Sequence, residues 1–261
     1  MNWKRIKALL WRHNYDIKHN LGRLLDTFYW PAVDIVLWGL TSSYFQKTSM
    51  EVSNLVLILL SALVFWQIIW RGQYEISVNL LEELWSHNLV NLFTTPLTIF
   101  EWIMAMIILG LIRMLVTVGF AIGLVYLMYG ANILEIGLML VPFACLLLMS
   151  GWYIGLVAAG IILRFGMRLE IIAWSGVYLL APFSAIYYPV SVLPGWAQKI
   201  AAWIPASYIF EGMRAVLSNN TIDKALFIKS AGLSLIYLLL SLGFFLFCFN
   251  QSRKSGLARL E

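Results

Sequence analysis

The stretch Tyr187–Leu217, YYPVSVLPGWAQKIAAWIPASYIFEGMRAVL, decides the fold because prolines divide it between two long apolar runs. Proline lacks a backbone donor and clashes inside a helix, but it suits the first helical turn. Pro194 and Pro205 therefore predict two short helices, one beginning at each proline. Such short helices cannot cross a hydrocarbon core of about 30 Å. We expect residues 189–217 to enter the outer leaflet and return as a re-entrant helical hairpin.

The rest of the sequence is that of a membrane protein. Of its 261 residues, 61% are hydrophobic and 12% are charged, which excludes a soluble domain. Six runs of about 18 or more residues carry almost no charge, and each is long enough to cross a bilayer. These predicted spans cover residues 28–46, 53–70, 103–128, 138–163, 171–189 and 228–249. The predicted fold is one all-α polytopic membrane domain over residues 1–261, with six transmembrane helices.

The distribution of Lys and Arg predicts the orientation. Cations are concentrated before the first predicted span and in the basic tail, residues 250–261. By the positive-inside rule both termini are cytoplasmic, in a multi-pass protein of the plasma (inner) membrane. The excess of positive charge then points to anionic membrane lipids as partners, and not to nucleic acid.

Residues 1–27 place apolar residues at every third or fourth position and cations on the remaining face. This spacing predicts an amphipathic helix in the cytoplasmic headgroup plane, with its Lys and Arg side chains toward lipid phosphates. A solvated helix packed on another protein is the alternative.

A second amphipathic stretch, Tyr74–Pro96, separates the second and third predicted spans. Its period predicts a cytoplasmic helix with an apolar face and a polar, acidic one. The polar face either contacts a partner or merely keeps a connecting helix soluble. Just beyond it, Thr98 and Glu101 have the spacing of a capping box, which predicts the start of the next helix.

Two charges lie deep inside predicted spans, Asp34 in the first and Arg113 in the third. An ionised side chain at that depth costs at least about 2.5–3.5 kcal/mol, so each should face protein or water. The two residues either pair with each other in helix packing or contact a transported molecule.

The order of these features resembles the membrane permeases of ABC-2 type transporters, a family that includes polysaccharide and drug exporters. The resemblance covers nearly the whole chain. It rests on four matching pieces of the re-entrant segment and on one turn after the cytoplasmic helix: Tyr188-Pro189, Leu193-Pro194, Ile204-Pro205, Glu211-x-x-Arg214 and Thr95-Pro96-Leu97.

The resemblance implies roles for particular residues. The helix at 74–96 becomes a coupling helix that docks into an ATP-hydrolysing subunit, through Glu82, Glu83, Trp85 and His87. The re-entrant segment becomes an outer gate that contains Pro194, Pro205, Glu211 and Arg214.

The chain has no G-x-x-x-x-G-K-[ST] phosphate-binding loop, so energy should come from a separate ABC ATPase subunit. A second permease copy, in a homodimer or a heterodimer, would complete the path. We expect outward transport of a glycan, a lipid or a hydrophobic drug. Catalytic residues, cofactors and metals are not expected. The alternatives are a membrane enzyme acting on lipid, or a membrane scaffold or assembly factor.

Aromatic residues make up 15% of the chain. Most lie near the ends of predicted spans, where an interfacial belt is the ordinary explanation. Sugar rings stacked on aromatics in a glycan channel are the alternative, with Trp38, Trp66, Trp152 and Trp174 as the candidates.

Overall fold

The computed structural model describes residues 1–48, 55–219 and 223–257, and these residues are mostly helical and include no strand. The α-helices are α1 (Trp3–His19), α2 (Leu21–Thr48), α3 (Leu55–Trp85), α4 (Leu89–Thr94), α5 (Ile99–Tyr129), α6 (Leu140–Phe165), α7 (Ile171–Ser175), α8 (Gly195–Ala201), α9 (Pro205–Asn219) and α10 (Lys224–Lys254). Short 3₁₀ helices lie at Ile133–Met139, Gly166–Leu169, Ala181–Phe183 and Val190–Val192. The predicted all-α class is confirmed.

Parts of three predicted elements lie outside the described residues. These are residues 53 and 54 of the second predicted span, residues 258–261 of the basic tail and the side chains of residues 16–18 in the N-terminal helix. The predicted N-terminal helix over residues 1–27 is divided in the structure. α1 ends at His19, and α2 begins at Leu21.

Four helical stretches of the described chain are long and apolar enough to cross a membrane: Leu55–Trp85, Ile99–Tyr129, Ile133–Leu169 and Lys224–Lys254. They correspond to the second, third, fourth and sixth predicted spans. The first predicted span lies within α2, which is 28 residues long but carries charges at Arg23, Asp26 and Asp34. The chain is thus a multi-pass membrane protein.

The predicted regular helix over residues 171–189 is wrong. α7 ends at Ser175, and the chain then tightens into turns whose N–H groups bond three residues back. The N–H of Leu180 donates to the Val177 carbonyl, and that of Phe183 to the Leu180 carbonyl, each at 3.0 Å. Pro182, which lacks a donor, and Ala185, with φ of 58°, do not fit an α-helix. Hydrophobicity alone does not reveal this break.

The separate helix predicted over residues 74–96 is also wrong. α3 continues unbroken to Trp85, and its polar residues from Arg71 to Glu83 are buried except Glu82, which is partly exposed. The chain turns only at His87, which has φ of 49°. α4 follows as a single short helix.

α3 is the axis of the domain because most of its side chains between residues 60 and 84 are buried. It crosses α6 at glycines. A Cβ atom added to Gly151 would lie 2.8 Å from the Cα of Gly72, and one added to Gly155 would lie 2.9 Å from the Gln73 carbonyl oxygen. Small residues at a crossing let two membrane helices approach closely, so these glycines fix the position of α3 against α6.

Candidate functional site

Ion pairs connect three helices at the end of the domain where the start of α1 and the end of α10 meet, which we call the inner end. Glu83 of α3 pairs with Arg12 of α1 at 2.8 Å, and Glu82 pairs with Arg23 of α2. The side-chain amide of Asn88 donates to Glu83 at 2.6 Å and closes the turn after α3. The two carboxylates therefore join α1 and α2 to the end of α3.

The four residues that were predicted to face an ATPase differ in how exposed they are. Glu83 is only 2% exposed, so it does not present its carboxylate to another subunit. Trp85 is 45% exposed and His87 is also at the surface. The indole N–H of Trp85 donates to Glu170 at 3.1 Å, and its ring stacks on Trp174. Trp85 and His87 are thus the accessible members of the set.

The cations of α1 and of the start of α2 were predicted to face lipid phosphates. For Arg5, Arg12 and Arg23 this is wrong, because each pairs with a carboxylate of this chain. Ile6, Leu9 and His13 are buried against the domain, and α1 is packed on α5 and α2. Its exposed aromatics are Trp3, Trp11 and Tyr15.

The Thr95-Pro96 turn is attached to the start of α1. Arg5 Nη1 donates to the Pro96 carbonyl at 2.5 Å. The predicted capping box is confirmed, since Thr98 N donates to Glu101 Oε2 at 3.0 Å and Glu101 N donates to Thr98 Oγ1 at 3.3 Å. Glu101 Oε1 also accepts from Asn2 N at 2.6 Å. The chain around this turn is therefore fixed at both sides.

A groove of about 600 Å³ lies between this turn and the end of α10. We call it the inner groove; it is lined by Val90, Phe93, Thr94, Thr95, Pro96, Leu97, Arg253, Gly256 and Leu257. It brings the predicted docking turn together with a cation of the basic tail. More than 150 positions separate these two pieces in the sequence, and no local pattern relates them.

Asp34 and Arg113, for which pairing was one of two alternatives, do not pair with each other. Arg113 pairs instead with Glu75 of α3 at 2.7 Å, and the Asn79 amide donates to the same carboxylate at 2.8 Å. Asp34 accepts only from the Gln67 amide, at 3.4 Å, within the described residues. The sequence did not identify Glu75 as the partner of Arg113, because the second predicted span ended at residue 70 and Glu75 was assigned to a cytoplasmic helix.

A further buried pair was not predicted. Arg71 of α3 donates to the Asp26 carboxylate at 2.9 Å and to the Asp26 carbonyl at 2.6 Å. It is almost fully buried, and its guanidinium lies 5.4 Å from the centre of the Tyr74 ring. Burying two charges is tolerated where geometry and added hydrogen bonds compensate for lost hydration.

His13 of α1 is the buried titratable group next to these pairs. It is 2% exposed, and neither ring nitrogen has a hydrogen-bond partner in the described part of the chain. Burial, followed by the positive charges of Arg113, Arg12 and Arg23, lowers its pKa from 6.5 to about 3. The imidazole is therefore neutral at physiological pH.

At the other end of the domain the proline-divided segment forms the two predicted short helices. Pro194 is the residue before α8, and Pro205 is the first residue of α9. Arg214 Nη1 lies 3.5 Å from Glu211 Oε1, a contact that the three-residue spacing on one helix predicts. The hairpin itself is present as two helices, whereas its re-entrant position in a membrane stays a prediction.

Arg214 has a more important contact than this pair. Its Nη2 donates to the Ala185 carbonyl, and also to the Ile186 carbonyl at 2.9 Å. Glu211 accepts from Val190 N at 2.7 Å. Both side chains therefore connect α9 to the irregular chain between residues 185 and 190, where backbone groups lack helical partners.

Other side chains around α8 and α9 also donate hydrogen bonds to backbone carbonyls. The Gln198 amide donates to the Leu193 carbonyl at 2.8 Å, and Ser207 Oγ donates to the Ala201 carbonyl at 2.8 Å. Ser230 of α10 donates to the Pro205 carbonyl at 2.9 Å. Residues 185–217, which we call the outer segment, therefore have side-chain partners for carbonyl groups that helices do not satisfy.

Comparison with known families agrees with this architecture. Residues 5–218 match the family model described as ABC-2 type transporter. A search of curated proteins gives no match. Permeases of this family are the membrane components of transporters and are powered by a separate ABC ATPase. The matched region is most of the sequence and includes the Thr95-Pro96 turn, α8 and nearly all of α9. The chain therefore belongs to the ABC-2 type transporter family.

Proposed function

We propose that this chain is the permease subunit of an ABC exporter and that its inner groove docks the ATPase. One observation carries the proposal: the Thr95-Pro96 turn is exposed, yet Arg5 and Glu101 fix the chain on both sides of it. An exposed turn that is fixed on both sides can transmit the displacement of a docked subunit to the rest of the domain. α4 joins this turn to the end of α3, the axis of the domain.

Six crossings are consistent with the lengths of the elements. At about 1.5 Å per residue, α2 is about 42 Å long and exceeds the hydrocarbon thickness. The tight turns from Ile171 to Ile186 would extend about 30 Å at about 2 Å per residue. With the four apolar helices these two make six, which would leave both termini in the cytoplasm.

The outer segment is proposed as the gate. α8 and α9 are short, and side-chain hydrogen bonds connect them to neighbouring carbonyls that a small rotation would release. A second permease copy would face this one across the path, since a single chain offers few helices to enclose it. The transported molecule would be amphipathic and would move outward.

Co-purification tests the proposal. Tagged wild-type permease extracted in mild detergent should bring down a subunit with a G-x-x-x-x-G-K-[ST] loop, identified by mass spectrometry. Thr94→Arg, on the exposed rim of the inner groove, should reduce this recovery, because a bulky charge opposes docking. Ser191→Arg, on the outer segment, is the matched control and should leave recovery unchanged. Recovery of no such subunit with the wild type would refute the exporter role.

A further inference from the structure

A second cavity, of about 390 Å³, lies between α2, α3 and the turns after α7. We call it the aromatic cavity, because Trp30, Trp66, Trp70, Trp174 and Tyr178 form most of its wall. Its volume lies in the range of small-molecule sites, about 300–1,000 Å³. Two carboxylates, Asp26 and Asp34, also line it.

The aromatic wall is organised before any ligand binds. The ring of Tyr178 lies 5.1 Å from that of Trp70 and 6.1 Å from that of Trp66. Trp66 is buried, so its ring has little room to turn. Aromatic faces carry negative electrostatic potential and attract a cation within about 6 Å of the ring centre.

Only one of the two carboxylates of the cavity has a cationic partner among the described residues. Asp26 is neutralised by Arg71 at 2.9 Å. Asp34 makes no ion pair among the described residues, and the Gln67 amide at 3.4 Å is its hydrogen-bond donor. The cavity therefore holds one carboxylate without a counter-charge. A charge at membrane depth is costly unless it is paired, so this site favours a positive ligand.

We propose that the aromatic cavity binds an organic cation, an ammonium or phosphonium centre with apolar substituents, and that Asp34 is its counter-ion. This inference rests on the proposed function and deepens it, since it makes the amphipathic substrate a cationic one. The aromatic faces surround the apolar substituents, while Asp34 selects the charge. A neutral sugar could stack on the same rings, but it would leave the Asp34 charge uncompensated.

Binding of radiolabelled tetraphenylphosphonium to the full-length permease tests the proposal. The protein is purified in a polyoxyethylene detergent, which carries neither sugar nor charge. We expect saturable binding that weakens at least tenfold in Asp34→Asn and is retained in Asp34→Glu. Asp223→Asn, which removes a carboxylate at the start of α10, is the matched control and should bind as the wild type does.

Two further variants separate a lost site from a lost fold. Trp30 is largely exposed, so Trp30→Leu should keep the thermal unfolding temperature and still weaken binding severalfold. Equal affinity in wild type and Asp34→Asn would overturn the proposal. So would displacement of the probe by neutral maltotriose, which would assign the cavity to glycans. If the wild-type permease co-purifies with an ATPase but does not bind the probe, this inference alone is refuted. If the wild type binds the probe but brings down no ATPase, the exporter role alone is refuted.

Discussion

The two ends of this domain are held together by different interactions. At the inner end, ion pairs join separate helices: Arg12 of α1 to Glu83 of α3, and Arg113 of α5 to Glu75 of α3. At the outer end, single side chains bond to the carbonyls of an irregular chain, as Arg214 does at Ile186. Breaking a buried ion pair costs about 3–5 kcal/mol, but a hydrogen bond from a charged group such as Arg214 contributes about 1.5–3 kcal/mol. The inner end is therefore expected to move as one body and the outer end to rearrange in parts.

The largest expected effect is at the inner end. Glu75→Gln leaves the guanidinium of Arg113 buried without its counter-charge and should lower the free energy of unfolding by about 3–5 kcal/mol. Thermal unfolding of the purified permease measures this. Glu135→Gln, at an exposed carboxylate, is the control and should change stability by less than about 0.5 kcal/mol.

The double variant with Arg113→Gln sharpens the same test. It should recover part of the loss, with a coupling energy above about 0.5 kcal/mol. Asp34→Asn combined with Arg113→Gln should show no such coupling, because these side chains are not in contact. A strong coupling between Asp34 and Arg113 would contradict the inner-end arrangement described above.

A smaller effect is expected at the outer end. Arg214→Ala removes the donor to the Ala185 and Ile186 carbonyls and should cost about 1.5–3 kcal/mol, the range for a hydrogen bond to a charged group. Lys199→Ala, at an exposed cation of α8, is the control. The loss should be accompanied by faster labelling of a cysteine placed at Val190. A loss as large as that of Glu75→Gln would remove the contrast between the two ends.

The smallest effect depends on pH. Since folding lowers the pKa of His13 from 6.5 to about 3, the unfolded chain binds the proton more tightly, and stability falls as pH drops below 6.5. At pH 5.5 this loss is on the order of 1 kcal/mol relative to pH 8. His13→Leu should lack that part of the pH dependence, while His87→Leu, at an exposed histidine, should retain it. Identical pH profiles for wild type and His13→Leu would show that the imidazole is not held neutral by the fold.

The sequence predicts the elements of this domain well wherever a local signal defines them. Long apolar runs locate α3, α5, α6 and α10, because burial in lipid or protein requires apolar side chains over a length of about 20 residues. Pro194 and Pro205 locate α8 and α9 through the geometry of proline itself.

The errors have a common physical cause. α3 continues past its apolar run because Arg71, Glu75 and Glu83 form ion pairs with other helices, and no sequence pattern indicates which helices are neighbours. The same lack of information about neighbouring helices left Glu75 unidentified as the partner of Arg113. The break after α7 has a local sign in Pro182, but the hydrophobicity of its surroundings hides it.

Photo-crosslinking compares the two ends directly and tests the central claim, that the inner groove docks the ATPase. A photoreactive phenylalanine analogue is introduced at Thr94 of the inner groove, and in a matched variant at Trp196 of the outer segment. The account predicts that illumination of whole cells joins the permease to the phosphate-loop subunit from Thr94 and not from Trp196. A crosslink to that subunit from Trp196, or none from Thr94 in cells where the two proteins co-purify, would contradict it.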